Sequence, residues 1–377
     1  MLTSNGPHDS VSCWGGYQVV SSEFNMPSSM SCVAQAGAFA FLSFFYISDA
    51  LAQSPTITAE AINAASLVDY VASVAFGADV VQVASNGPIV AAKVAADPAL
   101  ARLQILLDQA GASPGVIDGL DGSNLHKALR AFQKMNGMNP DGELTLALAA
   151  RLDSPGDTIG AYTITAEDLS AISGPIPEDY AEKAAMTKLG YESMAELVAE
   201  RFHMDVSLLQ ALNPSAQFAV GETINVAVTG KNRKGTVAWI EADKALRQVR
   251  VYGEGGVLLA AYPATIGSQD NPSPSGTHVV KHAVSMPGYT YNPKVNFQQG
   301  ENTEVLTIPP GPNGPVGSVW IGLSKPSFGI HGTPEPSRID KTGSHGCIRL
   351  TNWDAEELAA MVTPGVTVDF VEPTTAY

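Results

Sequence analysis

The chain has 377 residues, 45% hydrophobic and 15% charged, which excludes a wholly disordered polymer and leaves room for two or three packed domains. Its formal charge of −16 is uneven: residues 53–230 carry 9 Lys and Arg against 21 Asp and Glu, and residues 231–377 carry 12 against 13. No long-range positive field is available to attract nucleic acid or an anionic membrane, so a polymer partner must be held by short-range hydrogen bonds and stacking.

Residues 33–53, VAQAGAFAFLSFFYISDALAQ, form an apolar run that closes on Ala50-Leu51-Ala52, the small-x-small pattern of a cleavable secretory signal. Its uninterrupted part, between Gln35 and Asp49, is shorter than the roughly 20 residues that span a bilayer. It lacks the positive charge that usually opens a signal, since no Lys or Arg precedes Lys93. A buried helix or membrane anchor is the alternative. With residues 1–52 read as the signal, Cys13 and Cys32 leave with it, and Cys347 becomes the single thiol of an exported chain. In an oxidising compartment a lone cysteine is either chance or chemistry. Residues 53–97, rich in Ala, Val and Ser, with Gly77, Gly87 and Pro88 breaking any period, read as a spacer or as poorly determined helices.

From Leu100 the pattern sharpens. Leu103, Leu106 and Leu107 form one helical stripe and Leu125, Ala128, Leu129 and Phe132 another, each closed by Gly or Asp-Gly. Three short helices around a small core are predicted. The fragments LQ, PGVIDG, AL..FQ and NPDG resemble the three-helix peptidoglycan-binding domain over residues 98–153; the alternative is a generic helical module that binds nothing.

Residues 190–228 form a second small unit. Ser193 with Glu196 reads as a capping box, Met194, Leu197, Val198 and Phe202 as an apolar face, and Asp205 as the cap of a helix carrying Leu208, Leu209 and Leu212. Ile224, Val226 and Val228 alternate as a strand. With an opening strand at 161–165, this α+β unit looks like a LysM module over 161–230, although the insertion before Ser193 departs from that module's usual short connection.

After KNRKG (231–235) the chain turns to β-branched and aromatic runs, TVAWIEA, RQVRVY, VLLAAYPATIG and SVWIGL, joined by Gly-Glu-Gly-Gly at 253–256 and by Pro-rich loops. An all-β domain is predicted over 235–373. It contains one helix, WDAEELAAMV, capped by Thr351 or Asn352 and ended by Pro364-Gly365.

The loops of that domain hold GIHGTPEPSRIDKTGSHGCIRLTN. A cysteine nucleophile needs a base, and a nearby imidazole lowers a thiol pKa from about 8.5 towards roughly 3.5–7.5. His331 lies sixteen residues before Cys347, far enough to fold back beside it. Gly346 allows close backbone approach, and the amides around Gly346-Cys347 suit an oxyanion hole. An inert buried thiol is one competing reading. A zinc site made by His331, His345 and Cys347 is another, but no second cysteine or metal-ligand spacing accompanies them. His278 and His282 sit at strand spacing, and His126 and His203 read as surface or packing residues.

At these residues the chain resembles the L,D-transpeptidase family, with its YkuD-type catalytic domain. A His is followed by a variable loop and then Ser/Thr-His-Gly-Cys, a hydrophobic residue and Arg or Asn. The likeness implies a multidomain protein: a C-terminal mainly-β catalytic domain preceded by the α-helical peptidoglycan-binding-like and α+β LysM-like modules. By position it implies Cys347 as nucleophile, His331 as general base and the Gly332 carbonyl as orienter of the His331 ring. His345 and the Gly346 and Cys347 amides surround the oxyanion, and Ser344 supports the loop. Arg349 either holds a substrate carboxylate or makes a structural ion pair.

The implied donor is the peptidoglycan stem tetrapeptide. The implied acceptor is an amine from another stem, a D-amino acid or a protein, including one of the outer membrane. Periplasmic location, no cofactor and inhibition by carbapenem-type β-lactams follow from the same likeness. The alternatives are an L,D-carboxypeptidase with water as acceptor and a non-catalytic wall-binding structural protein.

Overall fold

Two short helices come first among the described residues: α1 (Ala59–Ala64), whose N-terminus is capped by Thr58, and α2 (Leu67–Gly77). The computed structural model describes residues 57–77, 95–295 and 297–373, all within one unit spanning 52–377. The expected signal over 1–52, with Cys13 and Cys32, lies outside the described residues, as do the 53–56 and 78–94 parts of the expected spacer. The described part of that spacer is packed: Ile62 is fully buried in the core of the middle module and Leu67 in that of the helical module.

The helical module comprises α3 (Pro98–Gln109), α4 (Ser123–Met135) and α5 (Leu146–Leu152). Asp97 caps α3 through Ala99 and Leu100 N–H, and Pro98 takes the first helical position, where its missing N–H costs nothing. Both predicted leucine stripes meet in one core with Leu148 and Leu152. Each such side chain contributes about 1.5–3 kcal/mol by leaving water.

The middle module pairs β1 (Ile159–Thr163) antiparallel with β2 (Thr223–Ala227), starting from Ile159↔Ala227. The strand expected at 161–165 lies two residues earlier because Thr165 is taken as the N-cap of α6 (Ala166–Ser170), in a reciprocal box with Asp168. Next come α7 (Tyr180–Ala185), α8 (Met194–Arg201) and α9 (Val206–Leu212). The box expected at Ser193 is only half formed. Ser193 accepts from Glu196 N–H, but the Glu196 carboxylate accepts instead from Glu192 N–H (2.7 Å) and Asn313 Nδ2 (2.6 Å).

The C-terminal domain is a nine-stranded sheet. Its strands are β3 (Val237–Asp243), β4 (Gln248–Gly253), β5 (Leu258–Pro263), β6 (Thr265–Ile266), β7 (Gly276–Ser285), β10 (Val319–Leu323), β11 (Gly329–His331), β12 (Ile348–Arg349) and β13 (Thr367–Val371). They run in the order β5-β4-β3-β13-β7-β10-β11-β12-β6, with β3/β13 and β11/β12 parallel and the other pairs antiparallel. A separate hairpin, β8 (Tyr289–Tyr291) with β9 (Leu306–Ile308), stands apart from it. Helix α10 (Asn352–Met361), capped by Thr351, packs Leu358 and Met361 into the sheet core.

The modules are joined by backbone as well as side chains. Ser113 N–H donates to the Ala261 carbonyl and Ala261 N–H to the Gly111 carbonyl, so the loop after α3 covers the edge of β5. Ile117 and Met204 form a similar bridge between the helical and middle modules.

Candidate active site

Parallel pairing of β11 with β12 sets Ile330 against Ile348 and His331 against Arg349. Two segments far apart in sequence thereby place His331, Cys347 and Arg349 along one cleft of about 1090 Å³. Leu350 N–H donates to the His331 carbonyl and continues the pairing. Cys347 is half-buried, a free thiol directed at the Ser327 carbonyl at 3.7 Å.

His331 is 5% exposed and stacks on Trp320. Its Nδ1 lies 2.7 Å from the Gly332 carbonyl, which has only lone pairs to offer. The neutral ring therefore carries its proton on Nδ1 and presents the Nε2 lone pair. Burial, reinforced by the Arg349 guanidinium, pushes the ring down to about 4 against the smaller opposing effect of the Gly332 hydrogen bond. Burial pushes the Cys347 thiol up, opposed by the Gly329 amide and by Arg349. The expectation of a thiol pKa lowered by a nearby imidazole is thus reversed in direction by burial. Both groups rest neutral at pH 7, because the same low-dielectric wall disfavours thiolate and imidazolium alike.

Backbone geometry defines the remainder of the site. Gly346 has φ +100°, and a Cβ there would lie 2.7 Å from the Phe328 ring, so the position accepts only glycine without strain. Ser273 Oγ donates to the Gly346 carbonyl at 2.8 Å, and Ser344 Oγ donates to the Cys347 carbonyl at 2.6 Å. Ser273 thereby fixes the peptide unit that carries the Cys347 N–H, and the Gly346 and Cys347 amides, like that of His345, have no acceptor among the described residues. Free amides beside a nucleophile can stabilise developing negative charge on a carbonyl oxygen. His345 itself is exposed and stacked on Phe297 at 4.5 Å, and burial and Arg349 lower its pKa.

Arg349 is half-buried, and among the described residues no carboxylate lies within ion-pair distance of it. Of the two expected roles, the structural ion pair is absent. An unpaired guanidinium fork facing a cleft suits a ligand carboxylate. No group of three His, Cys, Asp or Glu among the described residues is arranged to hold a metal. His126 contacts Asp121 and the Gly142 carbonyl, while His203 is half-buried between Asp108 and Trp353. His278 lies edge-on to Phe370.

Reading the sequence placed residues 285–317 over the groove but missed the part of the roof that the middle module supplies. Tyr180, on α7 in the insertion of the middle module, meets Tyr289, Tyr291 and Phe297 edge-on at 5.1–6.2 Å. Lys183, Glu192 and Glu196 from the same module also border the cleft. The insertion was visible as an excess of residues; its docking partner, more than a hundred residues away, had no local signature.

Together the fold and the site define a cysteine-nucleophile acyl-transfer domain on a β scaffold. The family model of the L,D-transpeptidase catalytic domain (YkuD) matches residues 237–370, and that of a putative peptidoglycan binding domain matches residues 96–152. The putative L,D-transpeptidase YkuD of Bacillus licheniformis is 33% identical over 47% of this chain and 92% of its own. The probable L,D-transpeptidase YbiS of Escherichia coli K12 is 26% identical over 54% and 70%. A solved L,D-transpeptidase in complex with imipenem covers 40% of this chain and 63% of its own, at 18% identity and a TM-score of 0.29. The chain belongs to the L,D-transpeptidase family.

Proposed function

We propose that this enzyme acylates Cys347 with a peptidoglycan stem tetrapeptide and passes the acyl group to an amine. Cys347 Sγ attacks the carbonyl carbon of the third-position diamino acid while its proton moves to His331 Nε2. The C–N bond to D-alanine breaks, and His331 returns the proton to the departing amine. An incoming amine then attacks the thioester, giving up a proton through His331 as the thiol is regenerated. Arg349 holds a carboxylate of the donor, and the Gly346 and Cys347 amides, beside that of His345, receive the oxyanion.

The observation that carries this reading is the His331 imidazole at the end of β11 and the Cys347 thiol just before the parallel β12, both neutral and beside an unpaired guanidinium in one cleft. A neutral pair transfers its proton as the bond forms, so no thiolate has to be stored in a dry site. The helical module serves as a wall anchor, and the middle module, with its two strands flanking helices, is read as LysM-like. Periplasmic location and a removable signal over 1–52 complete the proposal, as does inhibition by carbapenem-type β-lactams through acylation of Cys347. An outer-membrane protein is one possible acceptor.

The test is mass spectrometry of a disaccharide-tetrapeptide incubated with the protein and with Cys347→Ala, with and without a free D-amino acid. Dimer or exchanged product in the wild type alone supports transpeptidation. Tripeptide alone moves the assignment to a carboxypeptidase, and no product from a folded wild-type protein overturns it.

A further inference from the structure

We propose that Glu200 and Asn352 are positioning residues for catalysis, through which helix α8 of the middle module fixes the peptide that orients His331. Asn352 is 2% exposed, and both ends of its amide are engaged. Its Oδ1 accepts from Ser318 N–H at 3.0 Å and Thr333 N–H at 3.1 Å. Its Nδ2 donates to Glu200 Oε2 at 2.9 Å and to the Pro312 carbonyl at 3.2 Å.

The Thr333 N–H and the Gly332 C=O belong to one planar peptide unit. Fixing the N–H with Asn352 therefore fixes the direction of the carbonyl that holds His331 Nδ1 at 2.7 Å. Two glycines make the notch in which Asn352 sits: a Cβ on Gly317 or on Gly332 would lie 2.2 Å from Asn352 Oδ1. Turning the amide over would aim its NH₂ at two N–H donors. Glu200 and Pro312, as acceptors on the far side, prevent that turn.

Glu200 is poorly accounted for by packing. It is 6% exposed on a helix bordering the cleft, and its Oε1 has no partner among the described residues. A half-satisfied buried carboxyl weakens a fold rather than strengthening it. Its one bond is to Asn352, so its contribution is orientation. The middle module then acts on the chemistry itself, in addition to bordering the cleft.

This inference rests on His331 acting as the base, and the test separates the two. Glu200→Leu keeps the shape and removes the acceptor, whereas Glu200→Gln restores an acceptor oxygen. Single-turnover acylation by imipenem is followed alongside long-range ¹H–¹⁵N spectra of the His331 ring in the full chain. In the wild type the ring is a single Nδ1–H tautomer. In Glu200→Leu the tautomers mix and the acylation rate constant falls about tenfold. The affinity before acylation stays within about twofold, the thermal midpoint is unchanged or higher, and Glu200→Gln recovers most of the rate.

Wild-type acylation and tautomer in Glu200→Leu overturn the relay. So does a slower enzyme with an unmoved tautomer and a lower midpoint, which is a structural role alone. Where even the wild type resists imipenem, the reading of Cys347 fails, and the ring spectrum still decides the relay.

Discussion

Cys347 and His331 illustrate what one stretch of sequence carries and what it omits. Ser344-His345-Gly346-Cys347 and the upstream His331 were legible as a site because the residue types and the glycine are themselves the chemistry. The direction of the thiol shift was not, since it depends on how the strands wall the sulfur from water. With His331 at about 4, the Nε2 lone pair is available from about pH 5 upward. Protonation below pH 4 removes it, so carbapenem acylation measured by stopped flow stays level through neutrality and falls about tenfold per pH unit below about 4. An acid limb near pH 6.5 or above would overturn the neutral pair. At the neighbouring position, Gly346→Ala must accept φ +100° and a contact with Phe328. Calorimetry is expected to show about 1–3 kcal/mol of lost stability, with slower acylation in the fraction that remains folded.

Helix α7 and the β8–β9 hairpin form the element that most shapes access to the site. Asp179 caps α7 and accepts from Asn302 Nδ2 at 2.8 Å, while Tyr180 N–H donates to Gln299 Oε1 at 3.0 Å. Leu189 N–H donates to the Pro310 carbonyl and the Leu189 carbonyl accepts from Asn313 N–H, closing the far end. Tyr180→Ala removes the three aromatic contacts but leaves the sheet core intact. Because Tyr180 is half-buried, the loss is below the roughly 3–5 kcal/mol of a fully buried aromatic. Hydrogen exchange is expected to quicken at residues 289–308, and KM for the stem donor to rise more than kcat falls. Protection unchanged there would show that the roof does not depend on Tyr180. Helices α8, α9 and α10 could be read from caps and periodicity because those signals are local. The strand at 159–163 was misplaced because Thr165 serves α6, a competition between neighbours that alternation alone does not reveal.

The assembled molecule carries an electrostatic cost at its junctions. Asp354 on α10 accepts from Ser113 Oγ of the helical module at 3.1 Å, with His203 and Asp108 nearby, and burial raises it to about 8. Glu200, with Glu196, Glu356 and His203 around it, is also raised to about 8 by burial. Both carboxyls are ordinary acids in the unfolded chain, with pKa values near 4. The native state therefore holds their protons between about pH 4 and 8, and stability falls as pH rises through that window. Thermal midpoints are expected to drop from pH 6.5 to 8, and Asp354→Asn to flatten the slope; an unchanged slope would mean those carboxyls are ionised when folded. The separate modules could be seen in the sequence as changes of composition. Their docking could not, because bonds such as Ser113 to Asp354 join residues whose types are unremarkable in isolation.

Strands β3 and β13 lie side by side and parallel in the interior of the sheet, pairing Trp239 with Thr367 and Asp243 with Val371. The first and last strands of the catalytic domain are thus each other's neighbours, and no partial sheet grown from the front can contain its own middle. During synthesis the helical and middle modules can take shape while the catalytic residues are still without a scaffold, and the nucleophile is positioned only once residue 371 is available. The order of the strands makes the cysteine's reactivity a late event in the life of the chain.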